Sequence, residues 1–259
     1  MTSDDHQLAA ELAEAAGDRL LDLRRGGGDP AELRKAGDRL SHEFLMAELA
    51  AHRPDDAVLS EEGVDNPVRL SAARVWIVDP LDGTREFGEE GRTDWAVHVA
   101  LWEAGPAGEE GRLTAGSVAL PAQGLVLSTV KPPQAAGAAG DGRPLRVVVS
   151  RTRPPAFLER MSELMDITLV PMGSAGAKAC EVIKGEADAY IHGGGQYEWD
   201  SAAPVAVAQA AGLHASRIDG SGLRYNQHNP VLPDILICTA PLAGLLVDAI
   251  SAAGRPGGQ

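Results

Sequence analysis

Trp76-Ile77-Val78-Asp79-Pro80-Leu81-Asp82-Gly83-Thr84-Arg85-Glu86-Phe87 joins an apolar, β-branched run to two carboxylates three residues apart. Any fold of this chain has to bury the run and give the paired carboxylates a shared use. Val75 to Val78 has the composition of a buried strand, and Pro80 and Gly83 predict that it ends with a turn at Asp79. Pro80 fixes one φ angle and holds Asp79 extended. Asp79, the Leu81 carbonyl and Asp82 then offer hard oxygen ligands to one point, which suits Mg²⁺. Gly83 permits close backbone approach, and the free N–H groups of Thr84 and Arg85 at a predicted helix start form a seat for phosphate oxygens beside the metal. Asp-Pro and Asp-Gly alone are ordinary turn dipeptides. Their order, after a strand and before Gly-Thr, is what points to a metal.

A chain of 259 residues exceeds the usual single-core size, so two subdomains or one large layered domain are expected. Cys180 and Cys238 lie far apart without metal-ligand spacing, so this is no disulfide scaffold and a reducing cytoplasm fits. The acidic N-terminus does not lead into an apolar segment, and no run approaches a membrane span; a soluble protein is expected. The net charge of −14 argues against nucleic acid as a partner. It leaves room for a small anion, because acidic residues that hold Mg²⁺ reverse the local sign.

Apolar spacing predicts a first helix over 5–23, ended by Gly26-Gly27-Gly28, and a second over 33–51 with Asp38 and His42 one turn apart. Val58-Leu59-Ser60 reads as a short strand into Glu61-Glu62-Gly63. Strands over 75–78, 95–102, 114–120 and 125–129, separated by Gly-rich turns, predict an antiparallel sheet, with Gly105 to Gly111 as an exposed hairpin tip. Lys131 to Pro144 is the one strong linker signal and predicts a boundary between an N-terminal α+β subdomain, 1–140, and a C-terminal α/β subdomain, 141–259. Beyond it, strands over 145–149, 167–171, 187–191 and 234–238 alternate with helices over 155–165, 175–184, 201–211 and 242–252. A frayed Gly- and Pro-rich tail follows.

Three further acidic positions complete a metal centre if the fold gathers them. Glu61 and Glu62 follow a short apolar strand, where one of them can face Asp79. Asp200, before Ser201-Ala202-Ala203, reads by itself as the N-cap of a helix. Asp38 by itself reads as a residue on the polar face of the second helix. Their joint presence changes the weighting.

Asp79-Pro80-Leu81-Asp82-Gly83-Thr84, preceded by Ser60-Glu61-Glu62-Gly63 and followed by Glu198-Trp199-Asp200-Ser201-Ala202-Ala203, resembles the inositol monophosphatase superfamily, in the superfamily's own order. Within it the chain is most similar to the CysQ-type 3′(2′),5′-bisphosphate nucleotidases. Asp-Gly-Thr-Arg-Glu-Phe is close to their Asp-Gly-Thr-Lys-Glu-Phe, and Val149-Ser150-Arg151 resembles another of their segments. The likeness covers about Leu8 to Ala252.

The resemblance implies a layered α-β-α-β-α sandwich and a magnesium-dependent phosphatase of two or three ions, with Glu61, Asp79, Asp82, Asp200 and the Leu81 carbonyl as metal ligands. Asp38 and Thr84 match the pair that orients and deprotonates the attacking water, and Gly83 and Thr84 supply amides to the phosphate. Li⁺ sensitivity, a homodimer and a place in sulfur metabolism are implied as well. The implied reaction removes the 3′-phosphate of adenosine 3′,5′-bisphosphate, with a sugar or polyol phosphatase as the alternative and a catalytically silent metal-binding scaffold opposed by the complete ligand set. Substrate contacts are expected from Arg85, Ser150, Arg151, Ser174 and Lys178. In two places the chain departs from the nucleotidase pattern. Arg153 stands where nucleotidases tend to have His, and Gly173-Ser174-Ala175-Gly176-Ala177-Lys178 is one residue longer before its Lys.

Overall fold

The computed structural model describes residues 4–106, 109–134 and 142–254. The centre of the predicted linker (135–141), part of the predicted hairpin tip (107–108) and the tail (255–259) lie outside them.

Helix α1 (Asp5–Arg25) buries Leu8, Leu12, Ala16 and Leu20 along one face. Helix α2 (Pro30–His52) starts three residues before its predicted place. Asp29 accepts hydrogen bonds from the Ala31 and Glu32 N–H groups, and Pro30 occupies the first turn, where a missing N–H costs nothing. Both helices cover the outer face of a first sheet formed by β1 (Ala57–Ser60), β2 (Arg74–Asp82), β3 (Ala96–Glu103), β4 (Arg112–Leu120) and β5 (Leu125–Ser128), ordered as numbered.

β2 to β5 pair antiparallel as expected, whereas β1 runs parallel to β2, with Ser60 opposite Val78. The parallel pair brings both C-terminal ends to one edge, so the residue after β1, Glu61, arrives beside Asp79. The predicted turn at Asp79 is not found: β2 continues to Asp82. It does so through a bulge, in which Asp79 faces His98 of β3 and Asp82 faces Ala96, one residue more on β2 than on β3. Pro80 is tolerated because β1 has already ended and no ladder bond is required of its missing N–H. Gly83, at φ +83°, then turns the chain into the short helix α3 (Thr84–Gly88). A side chain there would meet the Asp94 carbonyl at 3.1 Å in a backbone conformation that favours glycine.

The second half forms a mixed sheet from β6 (Leu145–Ser150), β7 (Ile167–Met172), β8 (Ala189–His192), β10 (His214–Ser216) and β12 (Ile235–Cys238), in the order β10-β12-β8-β6-β7. β9 (Gln196–Tyr197) and β11 (Val231–Leu232) pair separately. β9, β10 and β11 have no sequence signal because none is longer than three residues, too few to show a period of two. Helices α5 (Ala175–Ile183) and α6 (Glu198–Ala210) lie between the sheets, and α4 (Phe157–Leu164) and α7 (Ala243–Ala253) cover the far face of the second sheet. This is the five-layer α-β-α-β-α sandwich. Its middle layer explains α6: residues 201–208 are all buried, and such a helix is apolar all round. The central core mixes Val75, Ile77 and Val118 of the first sheet with Val182, Ala203 and Ile237 of the second half.

Candidate metal centre and active site

One carboxylate oxygen from each of Asp79, Asp82 and Asp200 lies within 4.8 Å of the others, at the edge where β2 ends and α6 begins. Asp79 and Asp82 are buried, and Glu61 joins them through a hydrogen bond with Asp79. The helix carrying Asp200 starts at Glu198 rather than Ser201, so Asp200 is the third residue of its first turn and not the N-cap. Tyr197 takes the cap position, and Asp200 Oδ2 accepts from its backbone N–H at 2.6 Å, which aims the carboxylate back over the helix start.

Four carboxylates held this close repel one another. Burial, and then Glu61, Asp82 and Asp200, push the Asp79 carboxyl well above its ordinary range. Asp200 is raised by burial and Asp82, and Glu61 by burial and Asp200. A hard divalent cation removes this repulsion, and the donor set consists of the oxygens that such a cation prefers. The residues therefore fit a hard divalent metal ion.

Asp82 differs from its neighbours: burial raises it, but His98, Lys178 and Ser174 together outweigh burial and hold its carboxyl well below the ordinary range. Its Oδ2 accepts from Ser174 Oγ and from the Gly176 N–H at 2.7 Å, both at the N-terminus of α5, and lies 3.2 Å from His98 Nε2. The His98 contact has the distance of an ion pair without hydrogen-bond alignment. The other imidazole nitrogen, Nδ1, donates to the Trp199 carbonyl at 3.1 Å, so His98 touches both Asp82 and the residue preceding Asp200. Gly176 makes room for this imidazole, since a methyl group there would lie 2.1 Å from Nε2.

The sequence reading did not single out His98. Its signal was a polar residue inside the otherwise apolar run Ala96-Val97-His98-Val99-Ala100, because a group buried in such a strand needs a partner. Glu198 was missed as well. Buried below the site, it accepts from the Asn226 and Gln227 N–H groups at 2.6 and 2.8 Å and fixes the start of α6.

Thr84 Oγ1 lies 3.3 Å from Asp38 Oδ1 and 3.0 Å from the Leu81 carbonyl oxygen. The structure thus joins α2 to the end of β2. Burial, and then repulsion from Glu62, raise the Asp38 carboxyl to about 6.

A cavity of 610 Å³ opens beside these groups, with Asp82, Thr84, Asp200, Ser150, Arg153 and His192 in its lining. The remaining predicted contacts reach it too: Gly83, Arg85, Arg151, Ser174 and Lys178 all line it. Three of them are already engaged. The Arg151 guanidinium is paired with Glu86 and Glu89 of the α3 segment, at 2.6 Å each. Lys178 Nζ donates to the Gly173 and Ser174 carbonyls at 3.2 and 2.6 Å, and burial lowers its pKa. Ser174, at φ +50°, caps α5 by accepting from the Ala177 N–H at 2.9 Å.

Residues 5–251 match the model of the inositol monophosphatase family. The chain belongs to that family. It is 54% identical over 256 residues to a 3′-phosphoadenosine 5′-phosphate phosphatase of Mycobacterium leprae, covering 95% of this chain and 93% of that one. It is 32% identical over 241 residues to the 3′(2′),5′-bisphosphate nucleotidase CysQ of Escherichia coli K12, covering 86% and 94%. Inositol monophosphatase II of Staphylococcus aureus has the same fold, with a TM-score of 0.76 at 21% identity over 92% of this chain and 90% of that one. The family likeness agrees with the five-layer sandwich. No helix among the described residues is long and apolar enough to cross a membrane.

Proposed function

We propose that this chain is a Mg²⁺-dependent phosphomonoester hydrolase that removes the 3′-phosphate of adenosine 3′,5′-bisphosphate, giving AMP and inorganic phosphate. The carrying observation is the gathering of Glu61, Asp79, Asp82 and Asp200, from both halves of the chain, at the mouth of a cavity with basic side chains. The 54% identity to a relative named for this substrate supports the nucleotide over a polyol phosphate.

Glu61, Asp79, Asp82, Asp200 and the Leu81 carbonyl would hold two or three Mg²⁺ ions. Bound there, Mg²⁺ neutralises the ester's oxygens and lowers the pKa of water. The chain's own groups do the rest. The backbone N–H groups of Gly83 and Thr84 face the phosphate at the start of α3. Thr84 Oγ1 accepts a proton from the attacking water while passing its own to Asp38 Oδ1 at 3.3 Å. At about 6, the raised Asp38 carboxyl is ionised at neutral pH and still basic enough to take that proton. Asp82 keeps its charge because His98, Ser174 and Gly176 surround its Oδ2.

The C-terminal half supplies Asp200 together with Ser150, Arg151, Ser174 and Lys178 on the leaving-group side. Arg151 acts there by tying the loop after β6 to α3 through Glu86 and Glu89. Inhibition by Li⁺, a homodimer, a cytoplasmic location and a role in sulfur metabolism belong to the same reading. Chromatography of the products tests it. AMP should accumulate with Mg²⁺ and not with EDTA, whereas adenosine 3′-monophosphate as product, or release without divalent metal, would overturn it.

A further inference from the structure

We infer that His98 is a positioning residue for the metal centre: it bridges Asp82, at the end of β2, and the start of α6, and so fixes the spacing at which Asp82 and Asp200 share a divalent ion. This rests on the proposed Mg²⁺ site and names a residue outside the ligand set that controls its affinity.

A histidine inside an apolar strand is ordinarily a packed core residue whose ring nitrogens are both satisfied. His98 departs from that pattern. It is fully buried, yet its Nε2 has no hydrogen-bond partner, and the group it faces is Asp82 Oδ2 at 3.2 Å. Burying a polar atom unpaired costs stability that an apolar side chain in this strand would keep. Packing alone therefore does not account for the residue.

Its place in the fold does. On β3, His98 is the register partner of Asp79 across the bulge of β2, which sets the ring level with the two ligands of that strand. Nδ1 reaches the other way and donates to the Trp199 carbonyl at 3.1 Å, one residue before Asp200. One rigid ring thus spans from a carboxylate of the first half to the backbone of the turn that carries a carboxylate of the second.

Helix α5 closes the arrangement from a third side. Gly176 lets the ring approach, since a methyl group there would lie 2.1 Å from Nε2. The Gly176 N–H and Ser174 Oγ donate to the same Asp82 oxygen that His98 faces. These contacts all fall on Oδ2 and leave Oδ1 for a metal. His98 lies behind the cavity wall rather than in its lining, so its effect passes through the ligands and not through the substrate.

The test is calorimetric titration of the metal-free protein with Mg²⁺ alone, beside steady-state kinetics on adenosine 3′,5′-bisphosphate at limiting and saturating Mg²⁺. His98→Leu removes both contacts, whereas His98→Asn keeps a donor near the Nδ1 position and loses the reach to Asp82. Replacing a residue that orients metal ligands typically weakens binding by about 10- to 100-fold. The Kd for Mg²⁺ should rise about tenfold or more in His98→Leu and by less in His98→Asn, while KM at saturating Mg²⁺ stays at the wild-type value. A purely structural role would lower Tm and leave this Kd unchanged. An unchanged Kd in a cooperatively melting His98→Leu, or a KM that rises at saturating Mg²⁺, overturns the inference while leaving the nucleotidase reading intact. Where His98→Leu does not fold, the same comparison on His98→Asn decides. If the wild-type protein binds no Mg²⁺, the metal centre itself fails, and the role of His98 with it.

Discussion

Replacing Asp200 by Asn should make the metal-free protein more stable at alkaline pH while disabling it. Burial and the nearby Asp82 raise the Asp200 carboxyl from 3.8 to about 6. A carboxylate raised on folding binds its proton more tightly in the folded state. Its stabilising contribution is therefore complete below 3.8 and is lost as pH rises through 6. Two pH units at roughly 1.4 kcal/mol each make the full span about 3 kcal/mol, and roughly half of it falls between pH 5 and pH 8. Asn does not titrate, and its carbonyl can still accept from the Tyr197 N–H. Any pH-independent cost of the substitution cancels when the difference from wild type is compared at two pH values.

The assay is thermal melting in EDTA at pH 5 and pH 8. In a domain of this size 1 kcal/mol moves Tm by roughly 2–4 °C, so the variant should gain on wild type by about 3–6 °C from the lower pH to the higher. Saturating Mg²⁺ at pH 8 should then raise the wild-type Tm more than the variant's, because the ion binds the folded carboxylate cluster. Equal differences at both pH values, together with equal stabilisation by Mg²⁺, would refute the claim that mutual repulsion at this cluster is what Mg²⁺ relieves.

Glu62→Gln should shift the acid limb of kcat/KM. Asp38 must be ionised to accept a proton, so activity falls below about pH 6; removing the Glu62 repulsion lowers the Asp38 pKa and moves the limb to lower pH, as a pH–rate profile would register. Gly176→Ala places a methyl group 2.1 Å from His98 Nε2 and should cost about 2 kcal/mol or more in denaturant melts, with a wild-type midpoint refuting the packing of His98 against α5. Asp82→Asn should reduce turnover by about 10³-fold, and it should also lower Tm, because the buried Oδ2 now accepts from Ser174 and Gly176 and pairs with His98.

The opening run revealed its chemistry in the sequence but not its backbone. Asp79 and Asp82 share a point as their spacing suggested, yet they do so on a strand that continues through Pro80 in a bulge, because β1 ends early and leaves that edge unpaired. Parallel pairing of β1 with β2, which places Glu61, is a long-range choice with no local signal. Asp200 shows the opposite failure. Its helix-start chemistry was legible, but Glu198 and Trp199 carry no mark that the first turn begins before it. The Glu86 signature resembles the nucleotidase branch, and in the structure Glu86 holds Arg151. His98, a polar residue inside an apolar strand run, carries its signal in the sequence, since a buried imidazole there needs a partner.

The account turns on which phosphate ester the cavity selects. The most direct measurement is kcat/KM with Mg²⁺ for adenosine 3′,5′-bisphosphate, inositol 1-phosphate and fructose 1,6-bisphosphate on the same preparation. The account predicts the nucleotide to be preferred by about tenfold or more over either sugar ester. Equal or faster turnover of inositol 1-phosphate or fructose 1,6-bisphosphate would contradict it.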